Sequence, residues 1–546
     1  MRRLIYLSAC LSLTLFTACH GRQAHDPVPD PAKTYPFTHG DSLIQGTIAD
    51  PAILNPVLAS DSASFAVTGL VFNSLLRYDK NLNLEGELAE RWEVSPDGKL
   101  ITFHLRKNIT FHDGQPLTAA DVQFTLETYL NPKVKTAYRS NYTSISKFKA
   151  LDALTFRVWY QEPFAPALQS LAGMSILPKH LLADKDINTA DAFNNHPIGS
   201  GPYVFKSWKR AEAVTLESNP HYFEGRPGLQ RLIFRIIPDM SVQYLELQNG
   251  ALDTMDLTPS QFNREGNQPA FLQRFNKYRY LAPQYTYLGF NLKNPLFQDI
   301  RVRRAIGLAI NRQALVDSVL EGLGTVGTGP YTPSSWAYPT DARTLPFDPA
   351  AAKQLLMEAG FTYTPDGRLQ KNGKSVAFTI LTNQGNLNRE QTATIIQAQL
   401  KAIGMDVQIR IIAWSSLLSE FINKRKFDAL IMGWSLAQDP DLFDIWHSSK
   451  TGEFEFNHVS YVNPQVDALL VEGRRTFDPA RRIAVYRQVH ALIAADLPYI
   501  FLYVPDSLVT VHRRVLGIKV EKAGISYNFI KWFVPREFQK YPEQIQ

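Results

Sequence analysis

The sequence predicts an α/β protein of two or three domains, and three observations carry that prediction. Its 546 residues exceed what one hydrophobic core usually serves. With 45% apolar and 20% charged residues, the chain has the balance of a folded globular body rather than a disordered or fibrous one. From Tyr287 to Met432, short β-prone runs alternate with segments of helical period, the pattern of an α/β unit. The net charge of +6, from 57 basic against 51 acidic residues, is small for this length, and no Lys/Arg-rich block stands ready to follow phosphates. No nucleic-acid partner is therefore expected.

At the N-terminus, Arg2-Arg3 precede an apolar run from Leu4 to Ala18 that is too short for a comfortable membrane span, which marks residues 1–18 as an export signal. The only cysteines, Cys10 and Cys19, lie in or beside it, so the folded body has no disulfide, thiolate nucleophile or Cys-ligated metal. The next stretch, with Pro27, Pro29, Pro31 and Pro36, has little to bury and reads as a flexible tether over residues 19–37. Order is expected from Ser42-Leu43-Ile44-Gln45-Gly46. Leu54 to Ser64 is a hydroxyl-rich loop before a helix with Phe65, Val67, Leu70 and Val71 on its apolar side, and Ser60 or Asp61 can cap that helix.

Glu87 to Glu127 organises the reading that follows. Trp92-Glu93-Val94 and Ile101 to Leu105 flank Ser95-Pro96-Asp97-Gly98, whose proline presets φ and whose glycine tolerates a positive φ, so a β-hairpin is expected. After a second turn at His112-Asp113-Gly114, Thr118 caps a helix opening at Ala119, with Asp121 completing a capping box. Lys147 to Tyr160 adds two strand-like runs around Asp152-Ala153. Pro197-Ile198-Gly199-Ser200-Gly201-Pro202 suits a sharp turn. Arg231 to Ile237 alternates as a strand, and a helix ends near Asn249-Gly250.

Beyond Tyr285, Tyr287 to Asn291 is a strand, Asp299 opens a helix through Val302, Ala305, Ile306 and Ala309, and Asn311 caps the next. A helix from Pro349 to Ala359, a turn at Pro365-Asp366-Gly367, a strand from Val376 to Leu381 and a helix from Arg389 to Ile403 follow. Val407 to Ile412, a helix from Ser415 to Asn423 and Phe427 to Met432 complete the unit. A last apolar strand spans Pro498 to Val504.

The residues Leu88-Ala89-Glu90, Trp92, Ser95-Pro96-Asp97-Gly98, Phe111-His112-Asp113-Gly114, Pro116-Leu117-Thr118-Ala119 and Asp121-Val122 carry a resemblance that is specific because it is long. The chain resembles the bacterial extracellular solute-binding proteins of the dipeptide, oligopeptide and nickel class, family 5, the binding components of ABC importers, in lipoprotein form. The resemblance implies a periplasmic-binding-protein-like α/β fold (class II, cluster C) with two hinged lobes and an extra small α/β subdomain. It divides the chain into a discontinuous lobe I (38–75, 199–286 and 504–546), a subdomain (76–198) and lobe II (287–503). Phe16-Thr17-Ala18-Cys19 resembles a lipoprotein cleavage site, which implies acylation of Cys19 and a lipid anchor in a bacterial membrane.

In such a fold the ligand sits in the cleft between lobes, and closure is the expected response to it. The resemblance turns the loop of Ser60, Asp61 and Ser62 toward the cleft, against the reading in which Ser60 or Asp61 merely caps a helix. The second cleft segment is Gly433-Trp434-Ser435-Leu436-Ala437-Gln438-Asp439-Pro440-Asp441, because chain leaving a strand end in an α/β lobe is where ligands meet backbone. Trp434, Ser435, Leu436, Gln438, Asp439 and Asp441 are its candidate contacts, joined by Trp414 and Tyr503. Peptide binders of the family place an aspartate three residues after this tryptophan to hold the ligand's α-amino group, and here that position is Ala437. Asp439 or Asp441 then either replaces the missing charge or fixes the turn around Pro440.

Other constellations have weaker support. Ser146 and Lys149 read S-x-x-K and Lys450-Thr451-Gly452 reads K-T-G, but a Ser/Lys hydrolase needs its serine at a helix start, and Phe148 and its neighbours read as strand. Gly322 to Gly327 matches a dinucleotide fingerprint, yet a helix precedes it and Pro330 follows. The histidines show no metal-binding helix pattern, and His447 and His458 are named only because they lie near the cleft segment. No cofactor or metal is expected.

The expectation is thus an exported, lipid-anchored monomer in the periplasm or at the cell surface, not an enzyme. It captures a peptide-like solute between its lobes and hands it to an ABC permease in the inner membrane. The rival within the class is a small non-peptide molecule, an oligosaccharide or nickel chelate, which Ala437 keeps open. Rivals outside it are the Ser146/Lys149 hydrolase and a receptor or adhesin that keeps the fold without transport.

Overall fold

The computed structural model describes residues 27–541. The expected signal segment and Cys19 lie outside the described residues. Among those described, no helix is long and apolar enough to cross a membrane.

One strand ties the molecule together. Tyr499–His512 pairs antiparallel with Gln284–Phe290 through its first half and with Phe275–Leu281 and Thr254–Asp256 through its second. On one side the sheet continues through Gly40–Thr47, Leu229–Ile236, Ala213–Ser218 and Tyr203–Lys209. On the other it continues through Ala429–Ser435, Ala377–Asn383 and the edge strand Asp406–Ile412. Two neighbouring strands therefore cross between the lobes, and each carries a proline at the crossing, Pro283 and Pro505. Their mutual ladder lapses there, between the pairs Leu281↔Asp506 and Thr286↔Tyr503. Neither proline has an N–H to give a ladder, and at this point Gly324–Val326 pairs with Tyr503 to Pro505 instead. The sequence predicts a last apolar strand over Pro498 to Val504. The strand instead runs on to His512, since a proline is tolerated where the pairing partner changes.

The small subdomain is a four-stranded antiparallel sheet, Ala89–Val94, Leu100–Leu105, Thr155–Tyr160 and Ile145–Ala150, backed by the helix Ala119–Leu130. Both local devices seen in the sequence are present. Gly98 turns at φ +69° with its N–H on Ser95 O, and the Thr118 N–H donates to Asp121 Oδ2 at 2.8 Å. Phe103, Phe156, Val158, Val122 and Leu126 are fully buried between sheet and helix, each contributing about 1.5–3 kcal/mol. The turn at Gly199 and Gly201 returns the chain to lobe I. A Cβ on either would sit 2.0 or 2.4 Å from the carbonyls of Val71 and Leu70, so only glycine passes.

Lobe II has a core on each face of its sheet, set by the period of two. Leu288, Phe290, Ala429, Ile431, Ile500 and Leu502 face one core, and Tyr285, Tyr287, Leu430, Met432, Tyr499 and Phe501 face the other. The described part of the expected tether, residues 27–37, is mostly exposed and makes two ring contacts. Tyr35 meets Phe538 edge-on at 5.6 Å and Phe37 lies 5.2 Å from Phe533. Tyr35 is half-buried and Phe37 exposed, so the stretch touches the C-terminal segment through these rings while most of its residues face solvent.

Candidate functional site

Asp61 is buried at the start of the helix Ser62–Val71. Its Oδ1 accepts the Ser64 N–H at 3.0 Å and its Oδ2 accepts the Ser64 hydroxyl at 2.6 Å, an N-cap. The same Oδ1 accepts the Trp414 indole N–H at 3.3 Å, from the opposite lobe. Capping and facing the other lobe thus coexist in one carboxylate, with Ser60 and Ser62 exposed beside it. A chain of rings spans the same gap. Phe65 approaches Tyr138 of the subdomain at 6.2 Å, Tyr138 meets Phe456 of lobe II at 5.3 Å, and Phe456 meets Trp434 at 5.3 Å. Phe65, expected on the apolar side of its helix, is 41% exposed and turned toward Tyr138. Burial, with Tyr129, Asp444 and Asp61 nearby, pushes the Tyr138 hydroxyl well above its ordinary value, so it stays neutral.

Trp434 stacks flat on His458, its ring 5.5 Å away, and its Nε1 donates to Tyr499 Oη at 3.3 Å. Ser435 is exposed, and the Leu436 N–H donates to Pro283 O at 2.6 Å, tying the turn to a lobe crossing. Leu436, Ala437 and Gln438 line a hollow with Pro283, Tyr331 and Ser334. Asp439 turns away into a buried bidentate pair with Arg482, both oxygens at 2.7 Å. Burial works against that guanidinium, yet Asp439 holds it above its ordinary value. Asp441 pairs with Arg474 Nε at 2.8 Å, and Arg474 reaches on to Ser140 O and Asn141 of the subdomain. Pro440 O accepts the Tyr331 hydroxyl at 3.0 Å. Of the two alternatives left open, both aspartates adopt the one that fixes the turn.

Tyr503 is apart from this group. It is 1% exposed and its hydroxyl shares a hydrogen bond of 3.0 Å with Thr392. The register shift opposite, between Thr286 and Tyr287, turns it into the other core of lobe II.

The family model for bacterial extracellular solute-binding proteins, family 5 middle, matches residues 83–455. The chain belongs to this family. As a family 5 solute-binding protein it is 35% identical to Oligopeptide-binding protein AppA of Bacillus subtilis (strain 168), covering 98% of this chain and 99% of that one. The solved structure of that AppA in complex with a nonapeptide superposes with a TM-score of 0.87 at 34% identity, over 91% of this chain and 100% of the other. NikZ of Campylobacter jejuni, in complex with Ni(L-His), gives 0.82 at 30% identity over 90% and 99%. DppA of Helicobacter pylori, in complex with the peptide STSA, gives 0.82 at 27% over 91% and 99%. The family is one of solute-binding proteins rather than enzymes, and its solved members carry the mixed α/β fold described above.

The residual constellations of this family 5 protein have structural roles. Ser146 and Lys149 lie on the strand Ile145–Ala150 rather than at a helix start, the register slips between Ile145 and Lys147, and the Ser146 hydroxyl donates to Trp159 O at 3.1 Å. Lys450 is buried and pairs with Glu455 at 3.1 Å. His458, held well below its ordinary value by burial and by Arg425, is a neutral stacking ring, and His447 bonds Ser449. Among the described residues no three His, Cys, Asp or Glu converge as a metal site requires.

Tyr138, Phe456, Arg389 and Arg474 escaped the sequence reading. Only Arg389 had a signal, a cation in the first turn of a predicted helix, where an acid is the favourable charge.

Proposed function

We propose that this protein captures a peptide-like solute in the cleft between its lobes and delivers it to an ABC permease, held to a bacterial membrane by acyl chains on Cys19. The observation that carries the proposal is near full-length likeness to Oligopeptide-binding protein AppA, solved in complex with a nonapeptide. The geometry supports it: a serine-rich loop and an indole meet across the lobes, and Leu436, Ala437 and Gln438 line a hollow on the turn that follows the strand Ala429–Ser435. In this reading Ser60, Asp61, Ser62, Trp414, Trp434, Ser435, Leu436 and Gln438 border the ligand, and Asp439 and Asp441 hold the turn. The lobe boundaries fall between residues 286 and 287 and between 503 and 504, beside the prolines Pro283 and Pro505.

A metal chelate is the second reading, favoured by the likeness to NikZ. The test is to purify the protein from its host without refolding, denature it, and identify released small molecules by mass spectrometry. Peptides of several residues are expected. A nickel chelate, a sugar or an empty protein contradicts the proposal.

A further inference from the structure

The charges around the cleft do not balance, and the imbalance has a sign. Asp61 is occupied by Ser64 and Trp414, Asp439 by Arg482, Asp441 by Arg474, and Asp444 by Ser140 and Lys450. Arg389 is different. It stands in the first turn of the helix Leu387–Ala402, and among the described residues no carboxylate pairs with it. Its Nη1 donates to Asn383 Oδ1 at 2.8 Å and touches Met432 Sδ at 4.0 Å. The nearest acid in sequence, Glu390, is turned away to accept the Gly385 N–H at 2.8 Å.

The position is built around this side chain. A Cβ at residue 433 would come within 2.6 Å of Arg389 Nη2, so Gly433 leaves the guanidinium room at the head of the Gly433–Asp441 turn. The loop before the helix is at the seam between lobes, since a Cβ on Gly385 would meet the carbonyl of Pro238 at 1.8 Å. Burial pulls the guanidinium below its ordinary value, opposed only by the hydroxyls of Tyr503 and Tyr287. A cation taken from water without a partner is costly, and a ligand carboxylate with matching fork geometry removes that cost. The helix N-terminus beneath adds a field of the same sign.

We propose that Arg389 is the anion anchor of the cleft, taking a carboxylate of the bound solute. Resting on the peptide reading, this gives a binder selective for peptides by their negative charge, whether from the C-terminal carboxylate or an acidic side chain, with Asp61, Asp439, Asp441 and Asp444 each already partnered.

The test uses the mature protein, unfolded and refolded to strip its ligand, and a pool of N-acetylated heptapeptides. Each sequence is present as C-terminal acid and amide, and with Asp or Asn at a central position. After incubation and repurification, retained peptides are counted by mass spectrometry. A charge-assisted contact predicts about ten- to a hundredfold enrichment of acid over amide, or of Asp over Asn, and the arm that responds identifies the carboxylate. Arg389→Gln should bring that ratio near one while amides are still retained, and Arg389→Lys should keep part of it. Equal retention of all forms by the native protein, or an unchanged ratio in Arg389→Gln, overturns the anchor and leaves the peptide reading standing. If no peptide of any form is retained, the peptide reading fails and the anchor with it. Should Arg389→Gln not fold, an Arg389→Lys ratio identical to the native one overturns the proposal.

Discussion

The indole of Trp414 and the carboxylate of Asp61, 353 positions apart in sequence, meet at 3.3 Å across the two lobes. The same carboxylate caps a helix in lobe I, so the acceptor is rigid before the donor arrives. Such a contact exists only when the lobes are together, and a contact confined to one state biases the equilibrium toward it. Trp414→Phe keeps the ring and loses the donor. We expect ligand affinity to fall about fivefold, from about 1 kcal/mol, with melting temperature unchanged; titration calorimetry and a thermal melt check both.

Asp439 and Arg482 form the buried pair that shapes the Pro440 turn, 7% exposed each. Asp439→Asn leaves a buried guanidinium without its counter-charge and should cost about 3–5 kcal/mol, read from the urea midpoint. The double change Asp439→Leu with Arg482→Met should cost less than the single one, because no charge is stranded. A single variant as stable as the native protein contradicts the assignment.

Local chemistry made the hairpin and its helix legible: Ser95 to Gly98 and Thr118 with Asp121 act within a few positions of one another. The α/β alternation of lobe II was legible for the same reason, with strand and helix ends displaced by a few residues. The site was legible only as segments. Which arginine takes Asp439 or Asp441, that Ser140 reaches Asp444 over 304 positions, and that Tyr503 faces a core, depend on how distant strands register. No local pattern encodes a partner that far away. The ring contacts of Tyr35 with Phe538 and of Phe37 with Phe533 likewise join positions near opposite ends of the chain, so no local pattern announces them.

Glu87 accepts the Asn73 side-chain N–H at 2.7 Å and the Ser74 N–H at 2.8 Å, and burial pushes its carboxyl up to about 7 despite those bonds. A folded value above the unfolded one means that its stabilising contribution is complete below about 4.5 and is lost as pH rises through about 7. Between pH 5 and 8 the native protein should lose roughly 2 kcal/mol from this group, allowing for partial exposure. Glu87→Gln should flatten that decline in denaturation curves taken across the range, and an equally steep decline in the variant contradicts it.

Ser146 donates to the strand carbonyl Trp159 O and lies on a strand, not at the helix start with a lysine one turn on that Ser/Lys chemistry requires. Ser146→Ala should leave the profile of retained ligands unchanged. Neither form should hydrolyse a chromogenic β-lactam, and turnover lost in the variant would restore the hydrolase.

The central claim is that a solute draws two lobes together about the crossings at Pro283 and Pro505. Small-angle X-ray scattering measures this directly on protein stripped of ligand and then refilled with the molecules it released. The account predicts a larger radius of gyration for the stripped form and a return to the compact curve on refilling. Superimposable curves for the two forms, with binding verified in the same samples, contradict it.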